Sequence, residues 1–109
     1  AWIPLTSLEQ LDEIELKSKE KPQLIFKHST SCGISNMVLR MFRESYPLET
    51  ETADVYYLDL HQNRPVSNEV AAKFGVYHQS PQLIIIKDQQ VVGHSSHGAI
   101  TEMELNEYI

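Results

Sequence analysis

Leu8, Leu11 and Ile14 recur every third residue along the segment from Thr6 to Lys19, the interval that lines one face of an amphipathic helix. Thr6 and Glu9 stand in the spacing of a capping box, in which side chains satisfy amides left over at the helix start. The period then changes. QLIFK, residues 23–27, is a short apolar run behind Lys21 and Pro22 and reads as a buried strand. From Gly33 to Tyr46 the helical interval returns, with Ile34, Val38, Met41 and Phe42 as the expected packed face and Pro47 as its stop. DVYYLDL, residues 54–60, is dense in strand formers, with Tyr56 and Tyr57 suited to a sheet packed on both faces. A helix is expected from Ser67 to Phe74, ended by Gly75 at the position that favours positive φ. SPQLIIIKDQQVVGHS, residues 80–95, describes a Pro-initiated strand, a tight turn at Asp88 and Gln89, and a returning strand through Val91 and Val92. Thr101 and Glu104 repeat the capping-box spacing ahead of Leu105, Tyr108 and Ile109, which predicts a closing helix.

Strands alternating with helices before a terminal hairpin predict an α/β chain of order αβαβαββα. Parallel crossovers come first and an antiparallel edge last, so the expected core is a central mixed four-stranded sheet flanked by helices on both faces. That is the order of a thioredoxin-like fold. At 109 residues the chain is expected to be a single domain, 1–109, able to bury a core without disulfides or metals. No repeat, low-complexity tract or linker-like stretch divides it.

Charge narrows the partners. A formal net charge of -6 argues against nucleic acid, because phosphate backbones are met by clustered Lys and Arg. The N-terminal AWIPLTSLEQ turns polar within a few residues, unlike a signal peptide, and no apolar run approaches the ~18 residues of a membrane span. Neither membrane nor nucleic acid is an expected partner. Cys32 is the one cysteine in the chain, so no internal disulfide can form, and a reducing cytoplasmic setting is expected.

Cys32 sits in STSCGIS, residues 29–35, at the expected turn from strand to helix. There a sulfur faces amides without intrahelical partners and the positive end of the helix dipole, which favour thiolate over thiol. Such a sulfur also leaves readily when another thiol attacks the atom joined to it, which suits turnover through a mixed disulfide. The competing reading of a lone cysteine is a small buried hydrophobe. Gly33, which clears side-chain bulk beside the sulfur, and the polar residues before it weigh against that. His94 and His97 form an H-x-x-H, while His28, His61 and His78 are dispersed; with one cysteine they make no zinc spacing, and no metal site is expected. His28, four residues before Cys32, could turn inward and stabilise the thiolate, but a solvent-facing loop histidine is the favoured reading.

CGIS, the Ser80-Pro81 pair ahead of LIII, and the element order resemble the thioredoxin superfamily, with Cys-x-x-Ser in place of Cys-x-x-Cys. More closely, IFKHSTSCGIS, EVAAKFGV and HQSPQLIIIKD are similar to the monothiol bacilliredoxin (YtxJ-like) family of bacteria that use bacillithiol instead of glutathione. The resemblance implies a thiol-disulfide oxidoreductase that takes bacillithiol from protein mixed disulfides, with Cys32 as nucleophile. Its partners would be bacillithiolated client proteins and bacillithiol itself as cosubstrate, with no other cofactor. Ser35 stands where a dithiol relative has its resolving cysteine; as a first-turn helix residue it can satisfy backbone amides, and a direct bond to the Cys32 sulfur is compatible with that. Pro81 would be the cis-proline beside Cys32, leaving the Ser80 backbone to pair with a substrate chain, and Ser31, Gly33 and Ile34 would complete the substrate-binding surface. Two positions depart from dithiol thioredoxins. Where those carry a buried acid six residues before the nucleophile and a Trp just before it, this chain has Phe26 and Ser31. The acid helps deprotonate a resolving thiol, so its absence agrees with a protein that has none. CGIS also resembles the CGFS of monothiol glutaredoxins, which hold a [2Fe-2S] cluster between two subunits. The paired glycines that those proteins use to grip glutathione are not seen in GHSSHGAITE. A third class is a peptide-docking module with an incidental cysteine.

Overall fold

In the computed structural model, which describes residues 2–47 and 51–109, the chain runs β1 (Ile3–Pro4), α1 (Glu9–Lys17), β2 (Gln23–His28), α2 (Gly33–Ser45), β3 (Asp54–Asp59), α3 (Arg64–Phe74), β4 (Gln82–Lys87) and β5 (Gln90–Ser96). Two 3-10 turns, His97–Glu102 and Leu105–Tyr108, close it. The strands lie in the order β1-β3-β2-β4-β5. β2 is parallel to β3 and antiparallel to β4, which turns back into β5 through Asp88 and Gln89, both at positive φ. That pair of left-handed residues matches the twist of the two strands it joins. The sheet has five strands, not the expected four, because Ile3 and Pro4 pair in parallel with Tyr56 and Tyr57. Two residues are too few to show a period, and an edge is where proline can sit in a sheet.

The sheet buries both faces. On one side Leu11 and Ile14 of α1 and Val66 and Val70 of α3 pack on Ile25, Tyr56, Ile84 and Ile86. On the other, Val38, Leu39 and Phe42 of α2, with Ile100 and Leu105 of the closing turns, pack on Leu24, Phe26, Leu83 and Ile85. The α2 face differs from the expected one. Ser35, Val38, Leu39 and Phe42 point inward, while Ile34 and Met41 are exposed. Val38 and Phe42 belong to both faces, and the sheet selects the stripe that adds Ser35 and Leu39 over the one that adds Ile34 and Met41.

Three further expectations are revised. α1 begins at Glu9 without a side-chain cap, and in place of the Thr6–Glu9 box Gln10 Oε1 accepts the amides of the segment ahead of the helix, Thr6 at 2.7 Å and Ser7 at 3.0 Å. α3 begins three residues early, at Arg64, with Pro65 in its first turn where a missing N–H costs nothing. The closing helix is instead the two 3-10 turns, interrupted by extended Met103. Ile100 and Leu105 both reach the core; five residues apart on one α-helix they would point about 140° away from each other. Gly93 lets the second turn close, since a Cβ there would collide with the Tyr108 ring. Among the described residues no helix is long and apolar enough to cross a membrane.

β2 is buried along its whole length, polar residues included. Burial pushes the Lys27 amine down to about 8 and the Tyr46 and Tyr56 hydroxyls up to about 12. A native pKa below the unfolded value contributes stability that is present above the unfolded value and lost as pH falls through the native one. For Lys27 that window runs from about 10.5 down to about 8. The tyrosines have the opposite sign, and their contribution fades as pH rises from 10 toward about 12. The urea midpoint is therefore expected to climb between pH 8 and pH 10 and to fall above it. Lys27→Met should abolish the climb; a climb of the same size in that variant would assign it to another group.

Candidate functional site

Parallel pairing of β2 with β3 brings the loops after both strands to the same end of the sheet, and the loop before β4 arrives there beside them. Cys32 lies in the first of these loops, half-buried, and its extended backbone forms the N-cap of α2. No side chain of the first turn caps that end. The neighbouring amides are the ones an α-helix leaves without internal acceptors. Gly33 opens α2 with nothing near its Cα hydrogens, and Ser31 and Ile34 flank the thiol as exposed residues.

Ser35 turns away from solvent. Its fully buried hydroxyl accepts the amide of Ser29 at 3.1 Å and lies 2.8 Å from Nδ1 of His28. The amide it accepts belongs to the loop ahead of α2 rather than to the first helical turn. This ties the start of α2 to the end of β2. His28 corrects the expectation of a solvent-facing loop residue: it is the last residue of β2, 2% exposed, with its ring 5.7 Å from that of Tyr57. Alternation along β2 turns it to the α2 face with Phe26. Burial pushes its pKa down, and the carboxylate of Asp59 works in the opposite direction.

Asn36 and His61 complete the loop. The Asn36 amide donates to the carbonyls of Thr30 at 3.3 Å and Cys32 at 3.1 Å. His61, just after β3, holds both serines ahead of the thiol, with Nε2 at 2.7 Å from Ser29 Oγ and 3.1 Å from Ser31 Oγ. Its own amide is held by Asp59 Oδ1 at 3.1 Å. In the sequence His61 stands among dispersed histidines. The signal that could have found it is positional: it follows a strand expected to run parallel to the one that leads to Cys32.

The Ser80-Pro81 bond is cis, and Pro81 precedes β4, whose first residue pairs with Lys27 next to His28. The Pro81 carbonyl accepts the amide of His97 at 2.9 Å, which anchors the loop to the end of β5. Phe26, where dithiol thioredoxins carry an acid, is sealed among Trp2 and Phe42 at ring distances of 5.9 and 5.4 Å. His94 and His97 occupy β5 and the turn that follows it, and no group of three His, Cys, Asp or Glu among the described residues could hold a metal ion.

Comparison with known proteins agrees with this geometry. The family model described as Monothiol bacilliredoxin BrxC matches residues 3–105. A solved candidate oxidoreductase with a thioredoxin fold is 31% identical, with a TM-score of 0.80 over 97% of this chain and 91% of that one. Two thioredoxins share the fold at lower identity. That of Malassezia sympodialis is 15% identical, with a TM-score of 0.77 over 99% of this chain and 90% of its own. That of Trypanosoma brucei brucei is 20% identical, with a TM-score of 0.71 over 98% and 89%. The chain belongs to the monothiol bacilliredoxin family, and its thioredoxin fold with a single thiol at the head of α2 is that of a thiol-disulfide oxidoreductase.

Proposed function

We propose that the protein removes bacillithiol from protein mixed disulfides in a reducing cytoplasm. The observation that carries this reading is a partly exposed thiol at the N-terminus of α2 in a chain with no second cysteine. The Cys32 thiolate attacks the bacillithiol sulfur of the mixed disulfide. That sulfur–sulfur bond breaks, the client sulfur leaves as thiolate and takes a proton from solvent, and Cys32 now carries bacillithiol. A second thiolate from solution attacks the bacillithiol sulfur and releases Cys32, the two electrons coming from that external thiol.

Each neighbour has a part. Ser35 holds the loop through Ser29 and His28, so Cys32 keeps its place at the head of α2 while its partners change. The absence of side chain at Gly33 and the exposure of Ser31 and Ile34 leave room for a client surface. The Ser80 backbone, ahead of Pro81, supplies an edge along which an extended client segment can pair.

The test is competition between two adducts of one client protein, one carrying bacillithiol and the other glutathione, followed by intact mass. Transfer of bacillithiol to Cys32 is expected at least about tenfold faster than transfer of glutathione. Equal rates, or faster transfer of glutathione, would overturn the assignment of bacillithiol as the substrate thiol.

A further inference from the structure

Lys27 and Gln82 are buried neighbours paired across β2 and β4, and the reaction described above uses neither. Alternation along β2 puts Lys27 on the α3 face with Ile25, opposite to His28 and Cys32. Lys27 Nζ donates to the carbonyl of Ser67 in α3 at 3.2 Å and reaches Nδ1 of His78 at 3.3 Å. Gln82 Nε2 donates to the carbonyl of Tyr77 at 3.0 Å. Two side chains from the middle of the sheet thus hold consecutive residues of the loop that ends in Ser80 and cis Pro81.

We propose that Lys27, acting through His78, is a positioning residue for the client-docking loop, and that protonation of His78 releases that loop in acidic solution. The proposal rests on the reading of Ser80 as the docking edge. An ammonium group has donors only, so its bond to His78 needs the lone pair on Nδ1, which a neutral ring protonated at Nε2 provides. A proton on Nδ1 removes that lone pair and sets two cations face to face. Burial first, and then the charges of Lys27 from β2 and Arg64 from the start of α3, push the His78 pKa below the usual value. The tether is therefore intact at neutral pH and lost as pH falls through that lowered value. The Gln82 bond to Tyr77 and the His97 amide bond to the Pro81 carbonyl have no titrating partner and stay, so the freed segment is the part from His78 to Ser80.

The test compares two substrates from pH 5 to pH 8: a bacillithiolated client protein and a small symmetric disulfide. The ratio of their rates cancels the titration of the nucleophile, which is common to both. In the wild type the ratio is expected to drop at least about fivefold in acid, through KM for the client. His78→Gln keeps an acceptor that does not titrate, so its ratio should stay at the neutral value across the range. Lys27→Met should give the low ratio at every pH without lowering the urea midpoint at pH 7, since apolar replacement of a buried charge is commonly neutral or stabilising. An acid drop that persists in His78→Gln, or an unchanged ratio in Lys27→Met, would overturn the proposal. An NMR order parameter averaged over the amides of residues 78–80, measured at each pH, supplies a readout free of chemistry. It should fall in acid in the wild type and hold in His78→Gln, and equal loss in both would overturn the tether. Absence of transfer from any client would instead sink the proposed function, and the order parameters would judge the tether by themselves.

Discussion

In thiol-free buffer Cys32 is expected to retain one bacillithiol for each client released, and Ser35→Cys is expected to shed it at least about a hundredfold faster. No second cysteine exists in the chain to displace the adduct, so wild-type loss should be first order in added thiol. In the variant the new sulfur starts from the buried position of the Ser35 hydroxyl, 2.8 Å from His28 Nδ1. The imidazole can take its proton, which activates a thiol as an adjacent base does in other covalent catalysts. The thiolate so formed attacks the Cys32 sulfur, bacillithiol leaves, and an internal disulfide remains; residues three apart at a helix start are close enough to bridge. Intact mass distinguishes every species. Wild-type adduct that clears without added thiol, at a rate independent of protein concentration, would rule out the single-thiol mechanism. The variant loses the hydroxyl bonds to Ser29 and His28, so a modest fall in its unfolding midpoint is expected alongside the gain in rate.

Phe26→Ala should cost about 3–5 kcal/mol, the range for deleting a buried aromatic ring from a packed core. Phe26 is fully buried, and its ring meets Trp2 and Phe42 on the α2 face of the sheet. A domain of this size is stable by about 5–15 kcal/mol, so the loss is a large share of the total. Urea unfolding followed through the fluorescence of Trp2 measures it at the affected site. Phe26→Asp, which would install the acid of dithiol thioredoxins, should go further and leave little folded protein at 37 °C, since it removes the ring and puts a charge into a buried aromatic cluster. A cost below about 1 kcal/mol for Phe26→Ala would mean that the cluster closes over the gap, and that residue 26 is free to change in this family.

Element order was legible because helix and strand carry different periods, and the longer segments up to β5 declared their own. Cys32 was legible for the same reason: a strand, a short polar loop and a helix start place any residue between them at a helix N-terminus. The fold then follows from those local facts together with the handedness of parallel connections. Local period does not say which residues meet across the sheet. His28 has no sequence signal that separates an inward ring from an outward one, since its orientation follows from the parity of β2 and from the Ser35 hydroxyl seven residues later. His61 reaches Ser29 and Ser31 only because β2 and β3 run parallel and end together. Lys27 reads as the polar end of an apolar run until β4 places Gln82 beside it and the loop before β4 brings His78 within reach. The closing turns changed type for a similar reason, because Ile100 and Leu105 could satisfy the core only with the helix broken between them. The sequence by itself therefore determined the longer helices and strands, their order and the placement of the thiol, all of which depend on neighbours along the chain. The tertiary structure alone decided which buried polar groups hold the loops around that thiol, because a polar side chain inside a sheet must find its partner in whatever strand or loop the fold brings alongside.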